Sequence, residues 1–169
     1  QLRCPLPRPD PWSLDVRAFR PGTRDEQDWL EVNNRAFAWH PDQSGRTLAD
    51  LHTDMRQPWF DADGFLVHAR SGRLAGSCWL KIPPAAPPDT AMGEIYVISV
   101  DPDFHGRGIG RELTLAGLAW LADRGLDVGM LYAESDNHVA LRLYGQLGFV
   151  EHHRDVWFGY DPASGTPVA

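Results

Sequence analysis

The stretch that decides the fold is Val97-Ile-Ser-Val-Asp-Pro-Asp-Phe-His-Gly-Arg-Gly-Ile-Gly-Arg-Glu-Leu113. It begins inside an apolar run, Gly93–Val100, which predicts a strand buried on both faces. Asp101-Pro102 ends that strand, and leucines at helical spacing predict a helix over residues 108–124 with Gly125 as its C-cap. The stretch therefore predicts a strand that passes through a glycine-rich turn into a helix.

The glycine-rich turn has the chemistry of an anion site. Gly106, Gly108 and Gly110 let a ligand approach the backbone, and the first turn of the helix offers N–H donors that lack a partner within the helix. The helix dipole adds positive potential there, and Arg107 and Arg111 add mobile charge. A plain tight turn also explains the glycines. The turn is not a Walker loop, because it has no Gly-Lys-Ser/Thr, and it does not follow the strand as directly as a Rossmann fingerprint does.

Strand and helix patterns alternate on either side of this stretch. Strands are predicted over residues 14–19, 65–70, 73–82, 93–100, 128–134 and within 149–160. Helices are predicted after a capping box at Thr23-Arg-Asp-Glu26, after a cap at Thr47, over 108–124, and over 137–147 with Asn137 as its cap. The order β-α-α-β-β-β-α-β-α-β combines a hairpin with two right-handed crossovers. The fold class is therefore α/β, in the mixed α+β sense, with one central mixed sheet and helices on both of its faces.

The two ends of the chain are predicted to lie outside this domain. Pro5, Pro7, Pro9 and Pro11 favour an extended backbone that packs poorly, so residues 1–13 are interpreted as a linker-like leader. The folded domain is placed at residues 14–160, and residues 161–169 are interpreted as a tail.

Composition limits the classes of function. The 169 residues carry 16 basic and 23 acidic side chains, a net charge of −7, which argues against a nucleic-acid or anionic-membrane surface. Neither a signal-peptide core nor a membrane-spanning run is present, and two cysteines make no disulfide framework, so a cytoplasmic protein is expected. The histidines lack ligand spacing, so no metal is expected. Lys81 is the only lysine, which codon usage in a GC-rich genome explains.

Two motifs resemble the GNAT superfamily of N-acetyltransferases. His105-Gly-Arg-Gly-Ile-Gly110 resembles the superfamily pattern Gln/Arg-x-x-Gly-x-Gly/Ala, with His105 in place of the usual Gln or Arg. Asn137-His-Val-Ala-Leu-Arg-Leu-Tyr-Gly-Gln-Leu-Gly-Phe149 resembles the downstream pattern Asn-x-x-Ala-x-x-x-Tyr-x-x-x-Gly-Phe. The two motifs occur in the superfamily's order and at its spacing.

The resemblance implies the GNAT fold with acetyl-CoA as cosubstrate, bound where the fourth and fifth strands splay apart. Ile98 and Val100 would pair their backbone with the pantetheine arm, and the amides of residues 106–111 would hold the pyrophosphate. The cofactor-binding residues implied in this way are Ile98, Ser99, Val100, His105, Gly106, Arg107, Gly108, Ile109, Gly110, Arg111, Asn137 and Arg142.

Further blocks resemble the C-terminal, catalytic GNAT repeat of the mycothiol synthase family. They include Val32-Asn-Asn-Arg-Ala-Phe-Ala-Trp-His-Pro-Asp-Gln43, Gly93-Glu-Ile-Tyr-Val97 and Met130-Leu-Tyr-Ala-Glu-Ser-Asp-Asn137. This family acetylates the cysteinyl α-amine of cysteinyl-glucosaminyl-inositol, and its full chain has two GNAT repeats. The resemblance therefore implies a small polar amine as substrate and a second repeat in the same polypeptide.

The same resemblance implies the roles of individual residues. Glu94 matches the general base and Tyr144 the acid that protonates the leaving CoA thiolate. The substrate-binding positions are Asp42, Lys81, Glu94 and Tyr132, and Asp42 stands where the family has Glu. Each residue also has a structural interpretation: an outward-facing strand carboxylate for Glu94, a core tyrosine for Tyr144, strand packing for Tyr132 and a solvated charge for Lys81. Trp12, Trp39 and Trp59 fit core or edge packing better than a cleft wall.

Two other functions remain open from the sequence. An enzyme of the same class would acetylate a protein N-terminus or another small amine. A CoA-binding repeat without catalysis is the second alternative, and the presence of both Glu94 and Tyr144 argues against it.

Overall fold

The computed structural model describes residues 1–8, 10–40, 45–84 and 91–154, together with the backbone of residues 159–160 and 167–168. The strands are β1 (Leu2–Pro5), β2 (Arg17–Ala18), β3 (Phe65–Arg70), β4 (Arg73–Lys81), β5 (Gly93–Val100), β6 (Val128–Leu131), β7 (Val150–Glu151), β8 (Gly159–Tyr160) and β9 (Pro167–Val168). The helices are α1 (Asp25–Ala36), α2 (Leu48–Met55), α3 (Ile109–Asp123) and α4 (His138–Gln146).

Seven strands form one mixed sheet in the order β2-β3-β4-β5-β6-β1-β7. Neighbouring strands are antiparallel except for β5 and β6, which run parallel because α3 crosses between them. The predicted fold class is confirmed, and the hairpin β3–β4 and strand β5 lie where the sequence predicts them. The predicted first strand, 14–19, is shorter in the structure, where only Arg17–Ala18 pairs with β3.

The two faces of the sheet have different cores. One face packs against α1 and α2 through an aromatic stack in which Phe65 lies 4.4 Å from Trp79 and 4.2 Å from Phe19, ring centre to ring centre. Trp29 of α1 meets Phe65 and Trp79 edge-on and has no exposed surface. The other face buries α3 and α4 through leucines such as Leu113, Leu118 and Leu121. Burial of large side chains on both faces holds the strands that carry the site in a fixed position.

The leader is part of the sheet. Leu2–Pro5 pairs with β6 on one side and with β7 on the other, and Cys4 and Leu6 are buried in the α3 face. The prediction of a linker over residues 1–13 is therefore wrong for this strand, because contacts with β6 outweigh the local preference of prolines for an exposed chain. At the other end, β8 and β9 pair with each other, so the prediction of a simple tail does not hold at Pro167–Val168.

Candidate active site

The site begins with a bulge in β5. Trp79 of β4 pairs with Val97 and the next residue, Leu80, pairs with Ile95, so Tyr96 is an extra residue in β5. A bulge bends its strand and increases the local twist. The parallel pairing of β5 with β6 ends at Ile95 opposite Leu131, although β5 continues to Val100. The splayed strand pair that the sequence predicts is therefore present, and a cleft of about 1050 Å³ lies there.

The bulge also decides which β5 side chains enter the cleft. Ile98 and Val100 line it, together with the α4 side chains Ala140, Leu143 and Tyr144. The Ser99 side chain is buried on the side of β5 that faces away from the cleft. Its hydroxyl lies 3.0 Å from the Ser77 hydroxyl, and Ser77 accepts a hydrogen bond from the Trp29 indole N–H. Ser99 can therefore contact a ligand in the cleft through its backbone alone.

The turn after β5 offers backbone donors to the cleft. Gly106 and Gly108 have φ of +72° and +75°, which glycine adopts without strain, and a Cβ at either position would meet nothing within 4 Å. Gly108 is the N-cap of α3 and supplies no side chain to its first N–H groups, which lack acceptors within the helix. Gly106, Gly108 and Gly110 all line the cleft, as Ile109 does. The turn thus has the geometry of an anion site at a helix N-terminus.

The side chains of this turn do not all face the cleft. Arg111 lines it and forms ion pairs with Asp10 at 3.4 Å and with Glu112 at 3.3 Å. His105 also lines it, and its Nε2 donates a hydrogen bond to the Val100 carbonyl at 2.9 Å. Arg107 lies over the ring of Phe104, 5.6 Å from its centre, and is not among the cleft-lining residues. Two of these three side chains, Arg111 and His105, therefore border the anion site directly.

On the opposite side, α4 contributes an asparagine and a tyrosine. Asn137 caps α4 as predicted, because its side-chain oxygen accepts a hydrogen bond from the Ala140 N–H at 3.1 Å, and it also lines the cleft. Tyr144 lines the cleft while only 7% exposed, and burial raises the pKa of its phenol. Its hydroxyl is therefore protonated at neutral pH. Arg142 faces a separate hollow of about 210 Å³ beside His138.

Glu94 and Lys81 form one cluster beside the bulge. They are direct cross-strand partners, and Lys81 Nζ lies 3.2 Å from Glu94 Oε2. The ammonium also lies 5.3 Å from the ring centre of Trp59 and 4.9 Å from that of Tyr96. Glu94 is buried and is not among the residues that line the cleft, whereas the adjacent Ile95 and the following Tyr96 are. The Glu94 carboxylate thus lies one residue away from the cleft wall, with Lys81 as its ionic partner.

Exposed aromatic side chains border the end of the cleft away from α3. Tyr132 and Trp39 are each 58% exposed and line the cleft, and the Tyr132 hydroxyl accepts a hydrogen bond from the Gln1 side chain at 2.8 Å. From the sequence, Trp39 was expected to pack in the core or at an edge, and Gln1 was not singled out. The signal for Trp39 was its position just after α1, in the loop before α2. Asp42 lies outside the described residues.

Nowhere in the described ranges do three or more His, Cys, Asp or Glu side chains come together as metal ligands. Among the same residues, the helices are too short or too polar to cross a bilayer.

A splayed parallel strand pair, a β-bulge beside it and a glycine-rich turn at a helix N-terminus define an acetyltransferase of the GNAT type. The family model described as "Acetyltransferase (GNAT) family" matches residues 27–149, and the chain belongs to that family. Acetyl-CoA is the cosubstrate of this family. The cleft has apolar walls and a turn with the geometry of an anion site, which suit the pantetheine arm and the pyrophosphate of that molecule.

Curated relatives narrow the comparison. The chain is 48% identical to the mycothiol acetyltransferase of Thermobispora bispora over 159 residues, which cover 93% of this chain and 54% of the relative. It is 49% identical to the mycothiol acetyltransferase of Acidimicrobium ferrooxidans over 166 residues, 92% of this chain and 52% of the relative. The chain thus spans about half the length of the curated relatives it matches.

Solved structures share the fold at low sequence identity. The aminoglycoside N-acetyltransferase AAC(6')-Iy in complex with CoA superposes with a TM-score of 0.67 at 19% identity, covering 89% of this chain and 97% of that one. The ribosomal-protein-S18-alanine N-acetyltransferase of Escherichia coli gives a TM-score of 0.65 at 20% identity, covering 82% of this chain and 79% of that one. These likenesses support the fold.

Proposed function

We propose that the chain transfers the acetyl group of acetyl-CoA to the cysteinyl α-amine of cysteinyl-glucosaminyl-inositol, the last step of mycothiol assembly. The observation that carries the proposal is the placement of Glu94 beside the cleft wall and of Tyr144 within it, on opposite sides of the splayed strands. Identities of 45–49% to mycothiol acetyltransferases support this choice of acceptor.

The proposed reaction is direct attack by the amine. An α-amine has a pKa of about 8, against about 10.4 for a lysine, so its deprotonation costs roughly 3 kcal/mol less. A single carboxylate acting through water is then sufficient as the base. Because Glu94 lies just behind the cleft wall, a bridging water suits its position. The amine nitrogen forms a bond to the acetyl carbonyl carbon while its proton passes through that water to Glu94.

Collapse of the tetrahedral intermediate breaks the carbon–sulfur bond and releases a CoA thiolate. Tyr144 is the proposed acid, since burial keeps its phenol protonated and the side chain lines the cleft. The raised phenol pKa means that Tyr144 stabilises the departing sulfur mainly by a hydrogen bond, and the proton follows as the thiolate leaves. The tyrosinate that results is reprotonated from solvent.

The remaining site residues keep their proposed roles. The amides of residues 106–111 would bind the pyrophosphate, and Arg111, His105 and Asn137 would border it. Tyr132 and Lys81 would contact the acceptor, Lys81 while it is paired with Glu94. Arg107 and Arg142 would contact acetyl-CoA from outside the cleft, and Ser99 would contact it through main-chain atoms. Asp42 would contact the acceptor.

Two properties of the whole protein belong to the same proposal. We propose a second GNAT repeat in the same polypeptide, which is supported by the half-length match to the curated relatives. We also propose that the chain acts in the cytoplasm, where its cosubstrate is available.

The test is turnover of acetyl-CoA with two acceptors, cysteinyl-glucosaminyl-inositol and a peptide with a free N-terminus, and in a control without acceptor. Since the first acceptor carries its own thiol, released CoA is quantified by chromatography. Turnover that is fastest with cysteinyl-glucosaminyl-inositol is expected. Turnover with the peptide alone would overturn the choice of acceptor, and binding of CoA without turnover on either would favour the non-catalytic repeat.

A further inference from the structure

A short segment at the end of α1 contacts both loops that flank the acetyl-CoA cleft. It consists of residues 35–40, which we call the strap. The strap is a compact turn in which the His40 N–H donates to the Phe37 carbonyl at 2.8 Å. Phe37, Trp39 and His40 all line the cleft.

The first tie of the strap reaches the β5–α3 loop. Arg35 contacts Asp101 at 3.3 Å and Asp103 at 3.0 Å. The Asp101 side chain is 1% exposed, and its Oδ1 also accepts the Asp103 N–H at 2.9 Å, at the start of the glycine-rich turn. A carboxylate buried to this degree requires charged partners, so Arg35 is fixed relative to that turn.

The second tie reaches the loop before α4. His40 Nε2 lies 3.4 Å from Glu134 Oε1. The backbone carbonyl of Glu134 accepts the N–H of Asn137, the residue that caps α4 and borders the cleft. The strap therefore connects the two loops that would close around the pyrophosphate from opposite sides.

We propose that the strap couples acetyl-CoA binding to the order of the side chains of Phe37 and Trp39, which we call the acceptor wall, with Arg35 as the positioning residue. Acetyl-CoA fixes the two loops, the loops hold the strap at both ends, and Phe37 and Trp39 are thereby held against the cleft. Coupling of this kind is a free-energy linkage that is reciprocal between the two sites. The proposal rests on the proposed function only in assigning Phe37 and Trp39 to the acceptor side of the cleft, because the coupling itself involves acetyl-CoA and the strap.

The chain provides a matched control. Arg73 at the start of β4 contacts the same two carboxylates, Asp101 at 3.5 Å and Asp103 at 3.1 Å. It lies on the sheet and not on α1, so its removal weakens the same carboxylate cluster and leaves the tie to the strap in place. Arg35→Met and Arg73→Met therefore separate coupling through the strap from simple weakening of the loop.

The experiment is hydrogen exchange of the 169-residue chain with and without saturating acetyl-CoA, read by mass spectrometry on peptides that cover residues 35–40 and 106–111. In the unsubstituted chain and in Arg73→Met, acetyl-CoA is expected to slow exchange of the strap by about fivefold or more, in keeping with a coupling of ordinary size. In Arg35→Met the peptide over 106–111 is still protected by acetyl-CoA, whereas the strap is not. Arg35→Lys, which keeps the charge, restores part of the strap protection.

Three results would overturn the proposal. They are strap exchange that does not change with acetyl-CoA in the unsubstituted chain, full strap protection in Arg35→Met, and an equal loss of strap protection in Arg35→Met and Arg73→Met. If Arg35→Met does not fold, Glu134→Ala cuts the other tie at a side chain that is 61% exposed, and strap protection must then fall for the proposal to stand. No acceptor is present in this experiment. The exchange result therefore stays the same if the proposed acceptor is wrong. Likewise, turnover with the proposed acceptor does not support the coupling if acetyl-CoA fails to protect the strap.

Discussion

At the scale of single residues, the proposed catalysis depends on two side chains whose surroundings differ. Glu94 is a buried carboxylate with one ammonium partner, Lys81, while Tyr144 is a buried phenol whose pKa is raised by loss of water around it. In the proposed mechanism the first accepts a proton near the cleft wall, and the second stays protonated and donates a hydrogen bond to the departing sulfur. The proposed base and acid are thus separated by environment.

Glu94→Gln tests the base. The amide cannot accept the amine proton, so kcat at pH 7 is expected to fall by about 100-fold or more. The loss should shrink as pH rises past about 8, where the acceptor amine loses its proton without help. A pH profile of kcat for both proteins measures this, and an equal loss at every pH would contradict the base role.

Tyr144→Phe tests the acid. Removal of the hydroxyl is expected to lower kcat by about 100-fold, with the acetyl-CoA dissociation constant nearly unchanged, because the ring still packs 5.6 Å from that of Phe149. Tyr132→Phe is the contrasting variant, in which the KM for the acceptor should rise and kcat should change less. Steady-state kinetics together with calorimetric titration of acetyl-CoA separate these outcomes, and an unchanged kcat in Tyr144→Phe would remove it from the mechanism.

At the scale of elements, the glycine-rich turn shows how conformation serves the site. Gly108 caps α3 with a positive φ in open space, so its requirement for glycine is one of backbone conformation and not of room. The first N–H groups of α3 point at the cleft only while that conformation is kept.

Gly108→Ala is expected to lower the free energy of unfolding by roughly 1–2 kcal/mol and to weaken acetyl-CoA binding, because alanine disfavours this φ. Gly145→Ala is the control. Gly145 lies within α4 with open space around it, and alanine there should leave stability equal or raise it by up to about 1 kcal/mol. Urea denaturation and acetyl-CoA titration of both variants check this, and equal effects at the two positions would contradict it.

Some elements of the fold can be predicted from the sequence, and others cannot. Strand β5, the hairpin, the Thr47 cap and the Asn137 cap follow from local patterns, and each is present. The capping box predicted at Thr23 is absent, because α1 begins at Asp25 and the Glu26 carboxylate accepts the Gly22 N–H instead. Strand β1 was missed because its partners, β6 and β7, lie more than a hundred residues away along the chain. The bulge at Tyr96 was not predicted either, since it arises from pairing with β4 and the apolar sequence of β5 carries no signal for it. It explains why Ser99, predicted at the site, turns its hydroxyl toward Ser77 and Trp29.

At the scale of the whole molecule, β1 completes the sheet between β6 and β7 and brings Gln1 and Leu2 to the cleft. The reactivity of the two cysteine thiols can be used to test this arrangement. Burial raises the pKa of Cys4 to about 11 and that of Cys78 to about 12, so neither is appreciably a thiolate at pH 8.

Deletion of residues 1–7 is expected to cost about 3 kcal/mol or more, because the buried side chains Cys4 and Leu6 are lost and β6 and β7 lose their partner. The melting temperature should fall by about 10 °C. Cys4→Ala is the matched control, since it keeps the β1 backbone and also leaves Cys78 as the only thiol. If β1 matters as described, a thiol reagent at pH 8 modifies Cys78 faster in the truncated chain than in Cys4→Ala, and equal rates and equal melting temperatures would contradict it.

The central claim is that this cleft delivers an acetyl group to the cysteinyl α-amine. The most direct measurement is single turnover with acetyl-CoA labelled with ¹³C at the carbonyl and cysteinyl-glucosaminyl-inositol as acceptor, followed by NMR of the product. The account predicts one labelled amide on the cysteinyl nitrogen, and the same amide with an acceptor whose thiol is replaced by a hydroxyl. A labelled thioester on the acceptor, or no labelled acceptor while acetyl-CoA is bound, would contradict it.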